Sequence, residues 1–118
     1  MPAMSRTFPF VPRAAELGAA SLAPMLPLTL VATRSVAVQG LLDTGATVNV
    51  LPHATGVELG FDWDQQTTAV LLSGNLAAVE ARAILISAIV EGFGPVRLAF
   101  AWARVDAVPV ILGQVRRS

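Results

Sequence analysis

From Leu26 onward the chain alternates. Leu26, Leu28, Leu30 and Ala32 fall on every second position, the spacing that places side chains on one face of a β-strand. Ser35 to Leu42 repeats the pattern through Val36, Val38 and Leu42, and Thr33-Arg34 between the two runs reads as a tight turn. Asp43-Thr44-Gly45-Ala46 interrupts the extended structure, which resumes over Thr47 to Leu51 and stops at Pro52. His53 to Gly60 has room for one or two helical turns, with Gly60 as terminator. Thr67 to Leu72 is predicted as a strand, Ser73-Gly74-Asn75 as a turn, and Leu76 to Val90 as one long bent strand or two. Glu91-Gly92-Phe93-Gly94-Pro95 has the composition of a hairpin loop. Val96, Leu98, Phe100 and Trp102 then alternate with Arg97, Ala99, Ala101 and Ala103, and a last apolar run, Val108 to Leu112, closes at Gly113. Many short strands at near-regular spacing, with little helix, predict an all-β barrel or sandwich.

The first residues do not share this rhythm. Pro2, Pro9, Pro12 and Pro24 punctuate residues 1–24, which read as a flexible N-terminal extension with at most a short helical turn over Ala14 to Ala20. The folded domain is expected over residues 25–118. A chain of 118 residues supplies one domain and one core. It has no cysteine, which removes disulfides and thiolate metal sites from consideration. Eight arginines and no lysine balance eight carboxylates, so no basic block exists to follow a phosphate backbone, and nucleic acid is not an expected partner. The chain is 54% apolar and only 14% charged, against about 45–50% and about 25% in ordinary soluble domains. That excess needs a cover, and a second subunit is the simplest one. A membrane is the other candidate, but Ala83 to Val90, the most apolar stretch, is bounded by Arg82 and Glu91 and falls far short of the roughly 20 residues a span requires. Arg6, Arg13, Glu16, Pro24 and Pro27 interrupt any signal-peptide core. A soluble, cytoplasmic protein is expected.

Asp43 carries the strongest chemical signal. It follows two leucines at the end of an apolar strand, where a carboxylate is costly to desolvate unless it is paired or hydrogen-bonded. Thr44 offers a hydroxyl, and Gly45 permits backbone conformations that bring amides against the carboxylate. One such carboxylate is a weak catalyst. Two facing each other cannot both ionise easily, so they share a proton; the pair then serves as base toward water and as acid toward a peptide carbonyl. The chain has one such loop, so a dyad requires two copies about a two-fold axis.

Leu41-Leu42-Asp43-Thr44-Gly45-Ala46, followed by Val48, Val50 and Leu51-Pro52, resembles the active-site loop of retropepsin-like (retroviral-type) aspartic proteases, in a single-domain version of the bacterial type. Val108-Pro109-Val110-Ile111-Leu112-Gly113-Gln114 is similar to the apolar-apolar-Gly element that packs beneath that loop in the family, and the likeness runs from Leu26 to Gln114. The resemblance implies an all-β acid-protease barrel, one lobe per chain, working as a homodimer on peptide or protein substrates without cofactor or metal. It implies that Asp43 is catalytic, that Thr44 bonds across the dimer axis, and that Gly45 shapes the loop. Ala46 and Ile111 would line the substrate site, and Ser73, Gly74 and Asn75 would form the tip of a flap hairpin over bound peptide. The sequence departs from the family in two places. Only Val115-Arg116-Arg117-Ser118 follow Gln114, where retropepsins continue into a helix and a terminal strand, and no tyrosine is available for the flap.

Blander readings compete. Asp43 alone would be a turn aspartate. His53, the only histidine, has no neighbouring carboxylate cluster and suggests no zinc site. Ser73, His53 and Asp106 make a nominal triad without a nucleophile elbow. Asp62 and Asp64 read as solvated charges flanking Trp63, and no glycine-rich loop precedes a helix to bind a nucleotide. The alternative to an endopeptidase is a non-catalytic dimeric peptide-binding or dimerisation module on the same barrel.

Overall fold

In the computed structural model, which describes residues 10–12 and 22–114, the alternating runs pair into a closed barrel. Strand β1 (Phe10–Pro12) lies antiparallel to the start of β2 (Leu22–Val31), with Phe10 opposite Pro24. The remainder of residues 1–21, including Ala14 to Ala20, lies outside the described residues. After a bend at residues 32–34, β3 (Ser35–Leu42) returns antiparallel to β2, from Val31 opposite Ser35 to Met25 opposite Leu41. The Asp43 loop leads to β4 (Asn49–Leu51) and the short helix α1 (His53–Leu59). Two 3₁₀ turns, Trp63–Gln65 and Gly74–Leu76, precede β5 (Ala81–Ile89), β6 (Val96–Ala103) and β7 (Val110–Leu112). β5 and β6 form the expected hairpin across residues 91–95. β2 closes the ring by pairing with β5 as well as β3, giving the circuit β2-β3-β7-β4-β6-β5. Closure removes the open edges on which a flat sheet would aggregate.

Alternation in β2 buries Leu28 and Leu30 and packs them with Leu51, Ile84, Ile86, Phe100 and Trp102. The Val96-to-Trp102 stripe is graded: Val96 is 54% exposed at the hairpin end, whereas Phe100 and Trp102 are in the core. Seven residues of helix are too few to be stable alone, so α1 relies on packing. Gly56 sits on the Trp102 indole so closely that a Cβ there would come within 2.2 Å of Nε1. His53 stacks on the same ring at 5.3 Å, and its carbonyl accepts the Trp102 Nε1 hydrogen bond at 3.1 Å. The helix ends where expected, at Gly60 with φ 100°, a left-handed conformation that favours glycine.

Two strand expectations are corrected. Thr67 to Leu72 does not form a strand. It touches β5 through a single bridge, Ala69 to Arg82, supported by Val70 N–H to Ala81 O (3.0 Å) and Ala83 N–H to Thr68 O (2.8 Å). Ala69 and Leu71 share one parity and Val70 and Leu72 the other, so both faces are apolar and neither is fixed inward. Leu76 ends the second 3₁₀ turn, residues 77–79 turn and bend, and β5 begins only at Ala81. Leu76 and Val79, three apart, pack on the same apolar cluster, a helical-turn spacing inside a run taken as extended.

Candidate active site

β3 and β4 are not neighbours; β7 lies between them. It runs parallel to β3, with Ile111 opposite Leu41, and antiparallel to β4, with Ile111 opposite Val50. The loop that joins β3 to β4, residues 43–48, therefore rides over the end of β7 and is tied to it. Asp43 N–H donates to Leu112 O at 3.0 Å, and Gln114 N–H donates to Ala46 O at 2.8 Å. Gly113 passes between them. A Cβ on it would lie 2.5 Å from Val48 O and 2.8 Å from Ala46 O, both backbone atoms, so the close approach requires glycine.

The loop also closes on itself. Asp43 O accepts from Ala46 N–H at 3.0 Å, and Asp43 Oδ1 accepts from Gly45 N–H at 2.9 Å. A backbone amide aimed at a carboxylate oxygen is a charge-assisted bond and fixes the side chain's direction. Gly45 leaves room for it: a Cβ there would be 3.3 Å from Oδ1. Asp43 is half-buried, Thr44 and Gly45 are exposed, and Ala46 is half-buried.

This loop forms one wall of a groove of about 340 Å³. The opposite wall is residues 71–76, and Ala107, Val108 and Pro109 also border it. Of the residues singled out from the sequence, Asp43, Gly45, Ala46, Ser73, Gly74, Asn75 and Ile111 all line this groove. Thr44 does not; it is on the same loop, exposed to solvent. Among the described residues that line the groove, Asp43 is the one ionisable side chain. The expected flap is not a regular hairpin. Its base is the bridge between Ala69 and Arg82, and its tip is the 3₁₀ turn, with Gly74 at φ 63° and Ser73, Gly74 and Asn75 exposed.

Asn49 was not anticipated. It is 5% exposed; its Oδ1 accepts from Gly113 N–H at 2.9 Å and its Nδ2 donates to Ala99 O at 3.0 Å. The available signal was a lone amide within Val48-Asn49-Val50-Leu51: an amide buried in an apolar strand must find partners. The other polar candidates serve the scaffold. Asp106 Oδ1 accepts from Ala54 N–H at 2.7 Å in the first turn of α1, and His53 stacks on Trp102 while Ser73 sits on the groove. Asp62 Oδ1 caps the first 3₁₀ turn through Asp64 N–H, and Trp63 is buried beneath the guanidinium groups of Arg82 (4.5 Å) and Arg104 (5.1 Å). No helix among the described residues is long and apolar enough to cross a membrane.

No protein-family model matches the sequence, and no curated protein matches it. Solved structures do. EIAV protease complexed with the inhibitor HBY-793 aligns with a TM-score of 0.56 at 24% identity, over 77% of this chain and 81% of its own. A retropepsin-like aspartic protease from Rickettsia conorii aligns with a TM-score of 0.58 at 17% identity, over 90% of this chain and 74% of its own. The chain has the retropepsin-like fold, one small lobe built on a closed six-stranded barrel.

Proposed function

We propose that the protein is an aspartic endopeptidase whose active site forms between two copies of the chain. The observation that carries this reading is the Asp43 carboxylate, oriented by the Gly45 amide on the wall of a groove, in a fold whose neighbours are aspartic proteases. In the dimer the two Asp43 loops face each other and the two carboxylates hold one proton between them. The ionised carboxylate removes a proton from water as it attacks the peptide carbonyl, and the protonated one donates to the carbonyl oxygen. As the C–N bond of the tetrahedral intermediate breaks, one carboxyl gives its proton to the leaving nitrogen and the other takes a proton from a hydroxyl of the intermediate, so the pair again holds one proton. Water activation needs neither metal nor covalent intermediate. Exposed Thr44 joins its counterpart across the axis, and residues 71–76 cover the bound peptide, with Ala46 and Ile111 on the groove wall. The apolar excess of the sequence fits a chain that buries part of its surface against a copy of itself.

Subunit mixing tests the shared site. Chains carrying Asp43→Asn, added in excess to wild type, should capture wild-type subunits in mixed dimers and suppress peptide cleavage as they are titrated in. Cleavage that is indifferent to added Asp43→Asn chains would place a whole site in each chain and remove the shared dyad. Binding of peptide analogues without turnover by the wild type would leave the non-catalytic peptide-binding module as the function.

A further inference from the structure

We infer that Asn49 is a positioning residue for the Asp43 loop, the clamp that holds the end of β7 under the carboxylate. The inference rests on the reading of Asp43 as the catalytic group, and it concerns a residue that does not itself line the groove. Three successive residues at the end of β7 engage the loop region. Leu112 O accepts from Asp43 N–H, Gly113 N–H donates to Asn49 Oδ1, and Gln114 N–H donates to Ala46 O. The first and third of these bonds are backbone to backbone. The middle one is made to a side chain: the Asn49 amide oxygen is the acceptor for the Gly113 amide.

Asn49 can do this only because its other end is anchored. Nδ2 donates to Ala99 O on β6, so the amide spans from β6 to the end of β7 with its donor and its acceptor both used. The backbone of Asn49 is itself in register on β6, opposite Phe100. Gly113 is thereby drawn toward Val48 O and Ala46 O to distances that no other residue could tolerate. Position along β7 sets the height of Leu112 O, and Leu112 O holds the backbone amide of Asp43. Displacing β7 along its axis would carry the carboxylate with it, and a catalytic group misplaced by an ångström loses orders of magnitude in rate. A buried amide whose donor and acceptor are both committed has one favoured rotamer and one register, which is what such a clamp requires.

The test separates positioning from mere stability. Asn49→Leu keeps the branched shape of the side chain, with somewhat more bulk, and removes both bonds. In the folded variant, hydrogen exchange at the Gly113 and Gln114 amides should speed up at least about tenfold while the β2–β3 amides are unchanged, and kcat should fall by at least about tenfold with KM within roughly threefold, since the groove lining is retained. Asn49→Asp gives an independent arm. An ionised carboxylate accepts from Gly113 but repels Ala99 O, whereas the protonated acid offers an O–H donor and a carbonyl acceptor, the two functions the amide uses here. The ratio of Asn49→Asp to wild-type kcat should therefore rise as pH falls, and with it the protection of Gly113. Should Asn49→Leu fail to fold, the Asn49→Asp ratio decides. Unchanged exchange at Gly113 and Gln114, or an unchanged kcat in the folded variant, or a pH-independent ratio, would overturn the inference. A wild type that cleaves nothing would instead overturn the protease reading, and the exchange measurements would still decide whether Asn49 holds the end of β7.

Discussion

Replacing Gly113 by alanine adds one methyl group at the tightest backbone crossing of the site. The new Cβ would stand 2.5 Å from Val48 O and 2.8 Å from Ala46 O, while ordinary contact begins near 3.4 Å. Neither neighbour is a flexible side-chain tip. Both are carbonyls of the Asp43 loop, so relief requires the loop and the end of β7 to part by about an ångström. That separation strains the packing, at a cost of about 1–3 kcal/mol. It also stretches the Gln114–Ala46 and Gly113–Asn49 hydrogen bonds, each contributing about 1 kcal/mol. A loss of about 2–4 kcal/mol follows, and at roughly 4–5 °C per kcal/mol for a domain of this size Tm falls by roughly 8–20 °C. Urea or thermal unfolding followed by the fluorescence of buried Trp63 and Trp102 reads this directly. Gly94→Ala is the control, because a Cβ at position 94 meets nothing within 4 Å; it should change stability by less than about 0.5 kcal/mol. If Gly113→Ala were as mild as Gly94→Ala, the close crossing beneath Asp43 would be wrong.

Three further outcomes are expected. Gly56→Ala drives a methyl group into the Trp102 indole and should destabilise the fold by about 1–3 kcal/mol in the same unfolding assay, without a specific effect on the groove. Thr44→Ala, at an exposed position, should leave monomer unfolding within about 0.5 kcal/mol of wild type but weaken the dimer, seen as a higher dissociation constant in sedimentation. Amides of Ser73, Gly74 and Asn75 should exchange fast in the free protein and slow with a bound peptide analogue, because an exposed 3₁₀ tip has little to protect it until it closes.

Much of this fold was legible because alternation and turn chemistry agreed. Ser35 to Leu42 is a strand with the expected ends, the helix stops at Gly60, and residues 91–95 turn the β5–β6 hairpin. The pattern failed where it carried no period. Val70, Leu71 and Leu72 are apolar on both faces, and the chain leaves β5 there to arch over the groove, with Leu71 93% exposed and Leu72 buried. Leu76 and Val79 fall inside the predicted long strand because an apolar run does not distinguish a turn from an extended segment. The geometry of the candidate site was legible as a motif. Asp43 and Gly45 make the contact expected of them, and the residues named for the groove wall lie on it. Asn49 escaped notice because its importance depends on β7 passing between β3 and β4, a non-local arrangement that no local window contains.

The central claim, that Asp43 activates water in a two-chain site, is tested most directly by peptide cleavage with wild type and Asp43→Asn at matched concentration of folded dimer. Asparagine keeps the size of the side chain and an oxygen for the Gly45 amide but cannot act as a base. Cleavage by the wild type should be fastest at acidic pH, where a facing carboxylate pair retains one proton. It should survive metal chelators and be blocked by a statine-type mimic whose hydroxyl occupies the position of the attacking water. In Asp43→Asn the rate should fall by several orders of magnitude, because a dyad acts as a unit, while unfolding remains cooperative. Equal cleavage by the two proteins would reduce Asp43 to a turn residue and contradict the account.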